Sequence, residues 1–153
     1  MENYICINGK KAELTEEQMK ALGIELRKNS PLDRADYRKI YYYISPVGDV
    51  TSAYETEAPF DKYCFDVANY CTDKAIMEQR VMWETLSRLL WRFSEQNGGK
   101  GNCCIARKEN GSFFAMAGCY SYLEPTFINT KVARRAIEEV IEPFMAKHPN
   151  FVW

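Results

Sequence analysis

The sequence predicts an α+β fold: an antiparallel sheet built from hairpins and packed against a long central helix and a C-terminal helix, with an N-terminal hairpin-helix module. The longest uninterrupted helical pattern occupies 73–96, and a second amphipathic pattern occupies 131–147. Asn8-Gly9 and Asn110-Gly111, dipeptides suited to tight hairpin turns, each lie between short runs rich in β-formers.

Taken in order, Tyr4-Ile5-Cys6-Ile7 and residues 10–14 read as the first hairpin around Asn8-Gly9. Thr15-Glu16-Glu17-Gln18 then fits a capping box for a short helix that Gly23 stops, which completes a module over 1–24. Residues 25–38 are polar, include Ser30-Pro31, and read as a connecting loop. Arg34, Arg38 and Lys39 beside Tyr37 form a basic rim or ordinary surface decoration. The main body, 39–153, opens on Lys-Ile-Tyr-Tyr-Tyr-Ile-Ser, a strand that Pro46-Val47-Gly48-Asp49 turns back into 50–54. Alternation puts Ile40, Tyr42 and Ile44 on one face and Tyr41 and Tyr43 on the other. One face must meet the long helix, and the other offers a partly buried surface or a stacking platform. Residues 55–68 are acidic and contain Pro59, so a loop with a short strand is expected.

In the long helix, Ala75, Ile76, Met82, Trp83, Leu86, Leu89, Leu90 and Phe93 fall on one broad arc at 100° per residue. Thr72 or Asp73 caps its start, and Asn97-Gly98-Gly99 ends it. Met77, Val81 and Trp91 lie off that arc, near Arg80, Glu84 and Arg88. They form either a protein-binding patch rimmed by arginine or a second buried face of a sandwiched helix. Residues 98–102 are a flexible turn, and strands at 103–107 and 113–122 form a second hairpin. Asn129 or Thr130 caps the last helix, which Pro143 breaks or kinks near Val140. The apolar tail at 149–153 is expected to dock on the fold. The order of aromatic hairpin, Asn-containing approach and helix occurs twice, so the main body reads as two β-β-α units, which side by side would share one sheet.

At 153 residues, 46% apolar and 27% charged, the chain suits one domain that buries its core without metals or disulfides. Met1-Glu2-Asn3-Tyr4 lacks a basic region leading into an apolar run, and no segment approaches the roughly 20 apolar residues that span a bilayer. A cytoplasmic protein without membrane contact is expected. Cys6, Cys64, Cys71, Cys103, Cys104 and Cys119 show no metal-ligand spacing and read as reduced, buried small hydrophobes; a site from Cys64, Cys71 and Cys103-Cys104 is the alternative. Net charge is −1, but 49–73 holds six acids against one base, whereas 74–135 holds ten bases against five acids. This asymmetry steers a charged partner or dissolves into local pairs, and it indicates neither a strongly basic nucleic-acid binder nor an acidic mimic.

Catalytic signals are weak. Histidine occurs once, at His148, and no nucleophile elbow, zinc-binding helix or phosphate loop is present. Glu55, Glu57 and Asp61 lack the spacing of a calcium loop. No cofactor, metal or catalytic residue is assigned.

Ile7-Asn8-Gly9-Lys10 with Leu14-Thr15-Glu16-Glu17-Gln18 and Leu22-Gly23, then Tyr41-Tyr42-Tyr43-Ile44, then Leu86-Ser87-Arg88-Leu89-Leu90-Trp91-Arg92-Phe93 together resemble hypothetical accessory proteins of Firmicutes phages and prophages. Asn97-Gly98-Gly99, Ala136-Ile137-Glu138-Glu139 and the tail from Pro149 to Trp153 also fit, whereas Cys71 stands where similar proteins tend to carry an aromatic residue. The resemblance covers most of the chain and brings no catalytic residues. It implies a non-enzymatic counter-defence protein, anti-CRISPR-like, that binds a host defence protein or nucleoprotein complex in the bacterial cytoplasm. Arg80, Arg88, Trp91, Arg92, Tyr41 and Tyr43 are the candidate partner-binding residues. Sequestration of a small ligand or signalling nucleotide, and nucleic-acid binding through the basic segment, are the alternatives.

Overall fold

The computed structural model describes residues 4–7, 10–23, 30–119 and 124–153. The chain divides into two compact units, 1–33 and 34–153, and the division falls inside the polar connecting stretch. The first unit pairs β1 (Tyr4–Ile7) antiparallel with β2 (Lys10–Glu13) and follows them with α1 (Glu16–Ala21). The Asn8-Gly9 turn lies outside the described residues. The capping box is present: Thr15 Oγ1 accepts from the Gln18 N–H at 3.2 Å, and Gln18 Oε1 accepts from the Thr15 N–H at 2.9 Å.

The second unit contains two hairpins of the same construction. β3 (Ile40–Ile44) pairs with β4 (Val50–Tyr54), and β5 (Cys103–Arg107) with β6 (Phe113–Ala117). Each loop is closed by equivalent backbone bonds, Ser45 N–H to Asp49 O and Gly48 N–H to Ser45 O in the first, Lys108 N–H to Ser112 O and Gly111 N–H to Lys108 O in the second. Gly48 and Gly111 both hold positive φ, +92° and +86°, where a side chain is disfavoured. In each half the segment approaching the helix makes a two-bond bridge to the first strand, Cys71 to Tyr42 and Phe127 to Cys103. Two residues later an Asx side chain caps the helix. Asp73 accepts from the Ala75 N–H at 2.8 Å to start α3 (Lys74–Gln96), and Asn129 accepts from the Val132 N–H at 3.0 Å to start α4 (Thr130–Ala136).

The α+β class holds, but the hairpins do not merge: among the described residues each sheet has two strands. The bridging segments already occupy the outer edges of β3 and β5, so neither first strand is left to join the other hairpin. The acidic stretch expected as loop and short strand contains instead α2 (Pro59–Asp66). Pro59 suits its first turn, where no N–H is needed, and the Asp61 carboxylate accepts from the Ala58 N–H in place of a cap side chain. β6 ends at Ala117, and 120–122 lie outside the described residues.

The C-terminal helix breaks where Pro143 required. α4 passes into a π-helical turn, Ile137–Ile141, before α5 (Glu142–Lys147). Pro143 has no N–H to continue an α ladder and its ring would meet the carbonyl four residues back, and the wider π turn relieves both. The tail docks, with Phe151 buried and Gln79 accepting from the Val152 N–H at 2.9 Å while donating to Asn150 O at 2.7 Å.

The main core joins Leu86, Leu90 and Phe93 of α3 to Cys103, Phe127, Ala133, Ile141, Phe144 and Phe151. The expected stripe is buried only in this C-terminal half, because Ile76 and Trp83 are each nearly half exposed. Met77 is buried instead, on roughly the opposite side of the helix, where α3 packs against β3 and β4. The helix serves two neighbours in succession, so its buried face changes side along its length.

The expectation of reduced, buried cysteines holds at Cys64, Cys71 and Cys103 and is corrected at Cys104 and Cys119. Cys104 and Cys119 are joined as a disulfide, while Cys64, Cys71 and Cys103 are free and buried. β-pairing sets Cys104 opposite Met116, and the chain returns to donate from Cys119 N–H to Asn102 O. This brings the two Cα atoms to 5.8 Å, within the span a disulfide bridges. No described helix is long and apolar enough to cross a membrane.

Candidate functional site

Three of the six candidate residues share one face of α3. Arg80, Glu84 and Arg88 are spaced four apart, and Glu84 engages both arginines: Oε1 accepts from Arg80 Nε at 2.9 Å, and Oε2 lies 3.7 Å from Arg88 Nη2. The second turn of this ladder is reinforced by Arg88 Nε, which donates to the Glu84 carbonyl at 3.2 Å. Trp91 follows on the same face, half-buried, with the Lys100 ammonium 4.7 Å from its ring centroid. Three cations therefore surround one acid and one indole. Arg80 is also tied into the fold, because its Nη1 donates to the Ala68 carbonyl at the end of α2. Lys100 was not singled out by the sequence; Asn97-Gly98-Gly99 reverses the chain and returns it over Trp91.

Arg92, one turn beyond Arg88, stands at the border of this face. It also lines a groove of about 400 Å³ on another side of α3, formed with the π-helical turn and α5. Lys147 and His148 also line it. Neither was expected to act, and the available signal was Pro143, which forces the C-terminal helix apart at this level.

Tyr41 is a correction. It is fully buried and offers no stacking platform, because α2 and the segment before β3 cover its face of the hairpin. Its ring stacks on Tyr70 with centroids 4.1 Å apart. Its hydroxyl donates to Asp61 Oδ1 at 2.7 Å. Tyr43, on the same face, is half-buried and meets the edge of Phe60 at 5.3 Å. The opposite face turns to α3, where Val50 borders a depression with Val81 and Met82.

This polar cluster anchors the first hairpin. Asp61 Oδ2 accepts from the Thr56 N–H and hydroxyl, both at 2.8 Å, and from the Ala58 N–H at 3.1 Å. Glu55 receives a two-pronged contact from Arg34 at 2.9 and 3.0 Å, the Tyr70 hydroxyl at 2.9 Å and the Glu57 N–H at 2.8 Å. The Arg34 guanidinium holds the Glu55 carboxyl below its usual range against the opposing effect of burial. Burial alone would raise Asp61, but the bonds from Tyr41, Thr56 and Ala58 outweigh it and hold it low. Burial, aided by Glu55, pushes Tyr70 up to about 12, and burial with Asp61 raises Tyr41. Glu55 and Asp61 are thus turned to separate partners and do not converge on an ion. Among the described residues no group of three His, Cys, Asp or Glu is placed to hold a metal.

These shifts set the pH dependence of stability. The two carboxyls bind protons more weakly folded than unfolded, so their contribution is full above the ordinary carboxyl range and is lost as pH falls through it. The tyrosines hold theirs more tightly when folded, so theirs is full below about pH 10 and is lost as pH rises toward about 12. Urea midpoints measured by circular dichroism should be flat between roughly pH 6 and 9 and fall on both sides. In the Glu55→Gln, Asp61→Asn double variant the acid limb should flatten; an unchanged limb would assign it to other groups.

No family model, curated protein or solved structure matches the chain.

Proposed function

We propose that the chain is a phage-encoded counter-defence protein, anti-CRISPR-like, that works without catalysis by binding a host defence nuclease complex stoichiometrically in the bacterial cytoplasm. The observation that carries this reading is the outer face of α3. Arg80 and Arg88 both pair with Glu84, and Trp91 stands beside them under Lys100. Arginine next to a partly accessible indole is the composition in which interface energy concentrates. The excess of cations suits an acidic surface on the partner.

Tagged protein incubated with lysate of a bacterial host, with and without added nuclease, tests this by mass spectrometry of what is retained. A defence nuclease retained after nuclease treatment is the expected result. The Arg88→Ala, Trp91→Ala double variant should keep its circular dichroism spectrum and lose affinity for that partner about a hundredfold, on the order of 3 kcal/mol. Unchanged affinity in a folded variant would remove this face from the interface. Retention only while nucleic acid is intact would favour nucleic-acid binding through the same cations, with a steep salt dependence.

A further inference from the structure

From the groove between α3 and α5, we infer a second binding site, for a small anion that carries an apolar ring. It goes beyond the protein-binding reading and lies on a different side of α3. Its floor is apolar, with Leu89 and Phe93 from α3 facing Val140 and Phe144 from the C-terminal helix. Its volume, about 400 Å³, lies within the range of small-ligand pockets.

The charges at its rim give the class of ligand. Glu139 is the groove's one carboxylate, and Arg135 already holds it by two bonds of 2.7 and 3.2 Å from outside the groove. Arg92 and Lys147 come from different helices, line the same groove, and make no hydrogen bond or ion pair among the described residues. The acid is neutralised by a cation that does not line the site, and the two cations that do line it are uncompensated. Two free cations above an apolar floor complement a phosphate or carboxylate attached to a ring, the ring displacing water from the floor and the anion pairing with Arg92 and Lys147. The π-helical turn is accounted for by Pro143 and contributes Val140 to the groove's lining. The tyrosines do not contribute, because Tyr41 and Tyr43 lie on the first hairpin.

The test separates ring from charge on the full-length protein labelled with nitrogen-15. Phenyl phosphate and phenylacetate carry both, benzyl alcohol carries only the ring, and inorganic phosphate only the charge. At millimolar concentration, one or both of the first two should shift the amides of 89–96 and 139–148, and which of them binds tighter distinguishes a phosphate from a carboxylate ligand. The Arg92→Gln, Lys147→Gln variant, its remaining spectrum unchanged, should weaken that binding about tenfold or more. Equal binding by benzyl alcohol would overturn the anionic assignment. Equal binding by inorganic phosphate would overturn the role of the apolar floor. Shifts elsewhere, no shifts, or unaltered affinity in the variant would overturn the site.

Discussion

Replacing Asp61 by alanine should destabilise the 34–153 unit by about 3–5 kcal/mol, a fall of roughly 10–20 °C in its melting midpoint. The carboxylate is almost wholly buried and accepts four hydrogen bonds, from the Tyr41 and Thr56 hydroxyls and from the Thr56 and Ala58 N–H groups. Truncation leaves these donors aimed at a small void, and an unmade buried hydrogen bond costs more than a made one contributes. It also removes the side chain that satisfies the first turn of α2, since Ala58 has no oxygen with which to cap it. Asp61→Asn keeps the volume but turns an amide N–H₂ toward donors, so about half the loss is expected. Tyr41→Phe removes only one donor and leaves the carboxylate three others, so about 1 kcal/mol is expected. Thermal melts of the three variants should therefore rank Asp61→Ala worst and Tyr41→Phe mildest. A loss below about 1 kcal/mol in Asp61→Ala would mean that the cluster does not hold the hairpin.

Gly101→Ala should cost about 3 kcal/mol or more although only a methyl group is added. A Cβ there would fall on the carbonyl of Phe127 and the Cα of Ile128, closer than real Cβ contacts allow, and both obstacles are backbone. No flexible side-chain end can move aside. Either 101–103 or 126–128 must shift, which breaks the exchange between Cys103 and Phe127, now 3.2 and 2.8 Å, and disturbs the Asn129 cap two residues on. Gly48→Ala provides the contrast. Its Cβ would meet nothing within 4 Å, so only the strain of φ +92° remains, about 1 kcal/mol. Denaturation midpoints should fall further for Gly101→Ala than for Gly48→Ala, and equal losses would count against the close approach.

These two positions show which information was local. Gly48 was legible, because Pro46-Val47-Gly48-Asp49 is turn chemistry that acts within its own few residues. Gly101 read as one more glycine in a flexible turn. Its requirement is set by Phe127, a residue 26 positions away that pairing brings alongside. The same division runs through the candidate site. Helical spacing placed Arg80, Arg88 and Trp91 on one face because four-residue periodicity is intrinsic to the backbone. Arg92, one turn beyond Arg88, follows from the same spacing, but that it also borders a groove was decided by the C-terminal helix packed beside α3. Tyr41 and Tyr43 alternated as expected, but the burial of Tyr41 required α2, which composition had disguised as acidic loop.

By itself the sequence determined the elements whose causes are local: the hairpins with their Gly-containing turns, the cap at Thr15, the caps of the two long helices to within one residue, the span of α3, and the interruption that Pro143 imposes. Each follows from the dihedral preference or hydrogen-bonding reach of a residue and its near neighbours. Only the tertiary structure decided which face of each element is covered, that the hairpins stay as separate sheets, that Cys104 meets Cys119, and that Arg92 and Lys147 share a groove. Those outcomes depend on groups distant along the chain, so no local pattern could carry them: burial and charge pairing are properties of what lies opposite a side chain.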